Sequence, residues 1–461
     1  MKYIGPFLRM NTLKPSSLEN QLFFFAREAL KHLVLKSRCG VTMHPKVVKK
    51  NLPNIDINII KDFSPLLCVY RKANPKIIRD KDYAYWDSST FKKEVVPSSC
   101  AYMTLSMLEL YDYYERFKDL DNSLYTLAPL YKGMARQQLD FYTAYLRNDQ
   151  GVFVTKKNIS DDTSEKLSFE IKDSKFKFSE QAAMMTAFYR YYLVDPKEGE
   201  PYKRFSEDIF NALCRFRENL YDQSFEELNK IAFSLNLYNS YCRNLSVEYL
   251  LLDIIELMNS MLSEKPKLLD KINHGGLFLI NLTLSHKACS IDSLGERRDY
   301  LMKELLSLYD DSRKILIIDQ DKKEIKYSSE DIIYYILSLI NTGLLDEEAE
   351  LIATEIYKNQ LLFSRLITSW PEPPSLESPE RYYGFKINSE NLIEEQEFKL
   401  TAPISFEDEY APIFLKSVEY NKKKDTYTPS KLSFDSTKNL PLIFMILYFL
   451  KKNYYKKMRI E

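Results

Sequence analysis

The side chains able to carry chemistry in this chain are carboxyls, tyrosines and lysines, because the usual specialists are scarce. There are four histidines (His32, His44, His274, His286). Six cysteines (Cys39, Cys68, Cys100, Cys214, Cys242, Cys289) lie far apart, with no Cys-x-x-Cys pair. Neither set has zinc-ligand spacing. The sequence lacks Gly-x-x-x-x-Gly-Lys, Gly-x-Gly-x-x-Gly, Gly-x-Ser-x-Gly and His-Glu-x-x-His. P-loop phosphoryl transfer, hydride transfer, serine hydrolysis and metalloprotease chemistry therefore find no support. No metal and no cofactor is expected. Acid/base work by Asp and Glu remains, with one carboxyl protonated and another ionised. Glu180 and Glu330 each fall where a helix begins, although the helix macrodipole by itself also favours a carboxylate in a first turn.

Aromatic side chains are the second clue. The chain holds 34 Tyr and 27 Phe against 10 Gly. Tyr83, Tyr85 and Trp86 cluster in one loop, and Trp370, Tyr382, Tyr383 and Phe385 gather around a proline-rich turn with Arg381. Prolines exclude Trp370-Pro371-Glu372-Pro373-Pro374 from a helix interior. A ring on such a stiffened loop suits a flat apolar ligand face, such as the C–H face of a sugar. His274-Gly275-Gly276 reads as a turn, with a histidine beside a permissive backbone.

These residues must be positioned by helices. Scarce glycine and long 3.6-period stripes predict them over 17–38, 102–117, 127–147, 180–194, 203–220, 224–241, 246–262, 296–309, 329–342, 346–362 and 439–456. Segments 180–194, 329–342 and 439–450 are apolar on nearly every face and must be enclosed, whereas 203–220 and 296–309 are amphipathic and suit an outer layer. Short strand-like runs at 152–155, 167–171 and 315–318 interrupt the helices. Ser-rich punctuation precedes the presumed enclosed helices at 15, 97, 178, 245, 327 and 434. Recurrence of that kind signals a structural repeat, while any single Ser there is also an ordinary N-cap.

Six helical hairpins around an apolar centre resemble the (α/α)6 toroid of six-hairpin glycosidases, polysaccharide lyases and sugar epimerases. The resemblance lies in the pattern of the whole chain, with no diagnostic motif. It predicts a mainly α toroid with short β-hairpin excursions, spanning 1–461 as a single domain; the alternative boundary falls within 363–408. It also implies a funnel at the starts of the inner helices. Asp87 and Glu180 would then supply a carboxyl pair from neighbouring repeats, the separation of such a pair deciding inversion or retention. Trp86, Arg243, Tyr327, Trp370, Arg381, Tyr382 and Tyr383 would contact substrate. The implied activity is carbohydrate binding or glycosidase-like processing without a metal.

Composition limits the partners. Sixty-five basic and 65 acidic residues give a formal net charge of zero, without the basic excess of a nucleic-acid binder. Met1–Arg9 has no sustained apolar stretch of the secretory kind, and dispersed cysteines suit a reducing compartment, so a cytoplasmic location is expected. The run Leu440–Leu450 is too short to cross a bilayer: eleven helical residues cover about 16 Å. It reads as a core helix with a basic tail (Lys451, Lys452, Lys456, Lys457, Arg459). The competing functional reading is a non-catalytic interaction scaffold whose basic end rests on a membrane surface; no protein partner is indicated.

Overall fold

The computed structural model describes residues 13–43, 62–80, 83–160, 166–318, 321–342, 347–399 and 409–458. Met1–Arg9, His44 and the side chains of Lys452, Lys456, Lys457 and Arg459 lie outside the described residues. The chain opens with helix α1 (Pro15–Leu35). Five hairpins follow: α2 (Pro97–Tyr114) with α3 (Leu127–Tyr145), α4 (Phe178–Val194) with α5 (Pro196–Arg215), α6 (Phe225–Cys242) with α7 (Leu245–Glu264), α8 (Ile272–Cys289) with α9 (Asp292–Leu306), and α10 (Ser329–Asn341) with α11 (Glu347–Ile356). The closing helix α12 (Ser436–Met458) packs against α1 and completes the sixth pair.

Helices α2, α4, α6, α8, α10 and α12 form a closed inner ring, each packed on the next and α12 back on α2. The odd-numbered helices surround them, giving an (α/α)6 toroid. Burial follows this layering. Helix α4 is enclosed from Phe178 to Tyr191 with Ser179 alone partly open, whereas α5 buries only Gly199, Ser206, Phe210 and Leu213. Leu440–Leu450 is core apart from Pro441 and Tyr448, which are partly exposed. Among the described residues no helix is long and apolar enough to cross a membrane.

Local chemistry fixes the starts of the inner helices. Pro97 at the first position of α2 suits a turn whose amide has no partner. Ser224 accepts from the Glu227 amide at 3.3 Å to open α6. At α10 a full capping box forms between Ser328 and Asp331. Strands crowd this same end of the ring. Glu94–Val95, Thr155–Asn158 and Phe169–Asp173 make an antiparallel sheet whose outer members lead into α2 and α4. Glu324–Ser328 enters α10 and pairs with Ser417–Asn421, which pairs with Thr426–Pro429. Thr155–Asn158 and Phe169–Asp173 overlap the excursions read at 152–155 and 167–171, and Ile315–Leu316, paired with Tyr309–Asp310, overlaps that at 315–318; the other strands were not read from the sequence.

The opposite end is plugged. Arg190 of α4 bonds Glu109 at 3.1 Å and Asp112 at 2.6 Å, both on α2. Lys451 of α12 bonds the same two carboxylates. Glu109 is 3% exposed, and burial opposes its charge, but Lys451 and Arg190 outweigh that and hold its pKa below the usual value.

Two of the expected inner starts are corrected. Helix α1 belongs to the outer ring. Its Ser-rich start at 15 marked it as inner, but it is an outer helix whose outer face is covered by segment 363–399: Ser17 and Asn20 bond Glu397 at 2.6 and 2.7 Å, Phe25 meets Trp370, and Phe24 meets Phe398. The punctuation at 245 opens an outer helix, α7, with Leu245 and Tyr249 each 65% exposed. The inner helix of that repeat is α6. The pattern also missed α8, because His274-Gly275-Gly276 is not a turn: it lies in the first turns of that helix. A Cβ on Gly276 would stand 2.9 Å from the Tyr334 carbonyl carbon, so the glycine is needed where α8 closes on α10.

Candidate active site

A cavity of about 290 Å³ opens where the inner helices begin. Its floor is Tyr102, Phe233, Leu277, Tyr334 and Met445, one side chain from each of five inner helices. Its upper wall is charged: Glu180 from α4, Glu227 and Lys230 from α6, Glu330 from α10, and Lys177 just ahead of α4. Six helices converge here because each contributes its first two or three turns.

Glu180 is 5% exposed, with Lys177 Nζ at 3.3 Å from its Oε1. Burial raises its pKa to about 7, the charges of Glu227 and Asp173 push the same way, and Lys177 opposes them. Near neutrality this carboxyl therefore remains available as a proton donor. Glu227 Oε1 accepts from the Ser179 amide at 3.0 Å, which ties the first turn of α6 to that of α4. Glu330 is 7% exposed and accepts from Lys438 Nζ at 2.6 Å; burial raises its pKa although Lys438 works against it. Lys230 bonds Glu226 at 2.7 Å. Burial lifts the Tyr102 phenol to about 12, and Tyr334 is raised too, so both rings stay neutral donors. The combination is an apolar, aromatic floor under three carboxyls, with burial raising Glu180 and Glu330, an arrangement suited to acid/base chemistry on a small hydroxylated ligand.

The residues singled out from the sequence do not gather here, apart from Glu180. Asp87 lies on an exposed turn, where its carboxylate accepts from the Ser89 amide at 2.9 Å and hydroxyl at 2.7 Å. Those bonds hold its pKa below the ordinary value, and it lines no part of the cavity. The structure thus does not bring Asp87 into the cavity beside Glu180, whereas Glu227 and Glu330 line it with Glu180. Trp86 is fully buried and donates from Nε1 to His32 Nε2 at 3.0 Å. Arg243 caps the far end of α6 with φ 48, about 27 Å along the helix from its start. Tyr327 is buried and bonds the Leu316 carbonyl.

Trp370, Arg381, Tyr382 and Tyr383 belong to the segment covering α1. Trp370 donates to the Phe398 carbonyl at 2.8 Å, Arg381 pairs with Glu395, and Tyr382 donates to the Leu376 carbonyl at 2.6 Å. Tyr383 is half-buried against the core. Trp370 does line a separate recess of about 390 Å³ with His32 and Arg79, on the outer side of α1. Among the described residues no group of three or more His, Cys, Asp or Glu could hold a metal ion.

Sequence reasoning missed Glu227, Lys230, Lys177, Tyr102 and Tyr334 as cavity residues. Ser224-Phe225-Glu226-Glu227 carries the Ser-x-x-Glu spacing that marked other starts, so one signal for Glu227 was present.

No family model matches the chain, and no curated protein sequence matches it. Solved structures do. A sugar epimerase from a ruminal bacterium is 10% identical with a TM-score of 0.52, over 88% of this chain and 98% of that one. D-mannose isomerase gives 9% and 0.51, over 82% and 91%. Cellobiose 2-epimerase from Spirochaeta thermophila gives 9% and 0.51, over 88% and 96%. The likeness is one of fold. At such identities it carries no residue roles, and the site stands on its own geometry.

Proposed function

We propose that the chain binds a small carbohydrate in the inner-helix cavity and processes it by carboxyl acid/base chemistry. The observation that carries this reading is Glu180, a buried carboxyl with a pKa near 7 beside a second carboxylate over an aromatic floor. Support comes also from the fold neighbours, which are sugar epimerases and an isomerase; fold by analogy raises the expectation without assigning a reaction. A glycosidase-like step needs one carboxyl as acid and one as base or nucleophile. Glu180 in its protonated form donates to the departing oxygen as the bond from the sugar carbon breaks. Glu227, in a helix first turn that favours negative charge, takes the proton of the attacking water or stabilises the charge developing on the ring. Glu330, held by Lys438, orients a hydroxyl of the ring. Tyr102 and Phe233 offer flat faces to its C–H side.

The test is a panel of mono- and disaccharides assayed for binding and for product formation. Turnover should fall by about 10²–10⁴ in Glu180→Gln and Glu227→Gln, the usual weight of a general acid or base, while both variants still bind. Failure of every saccharide to bind, or full turnover in Glu180→Gln, would remove this reading.

A further inference from the structure

Beside the cavity lies a second recess of about 430 Å³, and the two share Ser98, Lys177, Glu180 and Thr437 as a common wall. A ligand whose reacting atoms reach Glu180 therefore extends into this recess if it is longer than one ring. The lining of the recess differs in charge from that of the cavity. Arg71, Lys92, Lys172 and Lys177 face Glu94, Asp173 and Glu180. Glu94 is shared by two cations, Arg71 at 3.0 Å and Lys92 at 3.1 Å. One carboxylate balances only one of them. Lys172 is exposed and makes no ion pair with another described residue. Lys177 is divided between Asp173 at 3.5 Å and Glu180 at 3.3 Å.

The recess thus holds one more basic than acidic group, and two more whenever Glu180 carries the proton that the acid role requires. The main chain adds to this. Helix α2 begins at its wall, and its N-cap, Val96, makes no side-chain capping bond, so the positive end of that helix faces no acceptor side chain of its own cap; in α4 the Ser179 amide is already taken by Glu227.

We propose that this recess is the subsite for an anionic group, a carboxylate or a phosphate, borne by the saccharide, so that the substrate class is an anionic rather than a neutral sugar. This rests on the reading of Glu180 given above. A negative group placed here meets Lys172, Lys92 and Arg71 and the start of α2, and its charge keeps the neighbouring carboxyl protonated for donation.

The experiment is calorimetric titration of the full chain with a neutral disaccharide, the same disaccharide ending in a uronate, a sugar phosphate and inorganic phosphate. The anionic saccharides should bind about tenfold tighter than the neutral one, the size of two partly exposed charge pairs. Lys172→Gln with Lys92→Gln should narrow that difference to about twofold, and added salt should narrow it too. Equal affinity for neutral and anionic saccharides, with turnover still lost in Glu180→Gln, overturns the anionic subsite and leaves the functional reading standing. A preference that survives the double substitution overturns the subsite as well. Inorganic phosphate binding as tightly as the sugar phosphate would mark a free-anion site and overturn it. If no saccharide of either kind binds, both readings fall.

Discussion

Replacing Glu180 by Gln should make the protein more stable above neutral pH. The carboxyl is buried, and its pKa rises from an ordinary 4.5 to about 7. At about 1.4 kcal/mol per tenfold change in proton affinity, the full cost of ionising it in the folded chain is about 3 kcal/mol. The sign follows from proton counts. Below pH 4.5 the carboxyl is protonated in both states and costs nothing. Between 4.5 and 7 the unfolded chain releases the proton while the folded chain keeps it, so stability declines with rising pH. Above 7 the full penalty persists. The Gln variant has no such term, although it leaves Lys177, which is partly exposed, with Asp173 as its remaining partner. The attraction of Lys177 is already contained in the value of about 7, so a gain of about 3 kcal/mol is expected at pH 8 and none at pH 4. Urea unfolding of both proteins at half-unit pH steps measures the difference. A gain independent of pH, or a loss at pH 8, would refute the burial argument and with it the acid assigned to the cavity.

The remaining predictions concern activity and packing. Turnover should decline as pH rises past about 7, because the donor form of Glu180 is lost there; a pH–rate profile checks this. Asp87→Asn should leave saccharide binding and turnover as they are, since its carboxylate serves its own turn, and a titration beside the parent protein tests it. Arg190→Met should cost about 3 kcal/mol in urea unfolding by leaving the buried Glu109 with one cation rather than two. Gly276→Ala should cost about 1 kcal/mol: overpacking against the Tyr334 backbone costs about 2, and the better helix former returns about 1. It should also weaken saccharide binding, because Tyr334 is part of the cavity floor.

Layering was legible in the sequence where burial was one-sided or complete for a single reason. Apolar faces all round at 180–194, 329–342 and 439–450 marked α4, α10 and α12 as enclosed, and the charged face of 203–220 marked α5 as external. The serine punctuation at 15 misplaced α1, an outer helix over whose outer face a distant segment, 363–399, folds. Enclosure is a property of what packs against a helix, and the sequence of one helix does not say which neighbour that is. Helix α8 escaped for a related reason: Gly276 answers to the proximity of α10 and Gly275 to that of Leu305 on α9, while in the sequence glycine pairs resemble punctuation.

For the site, the chain alone determined that carboxyls at helix starts were the available chemistry, since histidine, cysteine and glycine motifs are missing. It thereby drew attention to Glu180 and to Glu330. Which carboxyls meet was decided by the closure of the ring, which carries Glu227 to Glu180 across 47 residues of sequence and sends Asp87 to an outlying turn. The proton affinity of Glu180 likewise belongs to the folded state. A glutamate in a first helical turn is ordinarily acidic, and only the enclosure by α2, α6 and α12, with a second carboxylate opposite, removes the water that would keep it so.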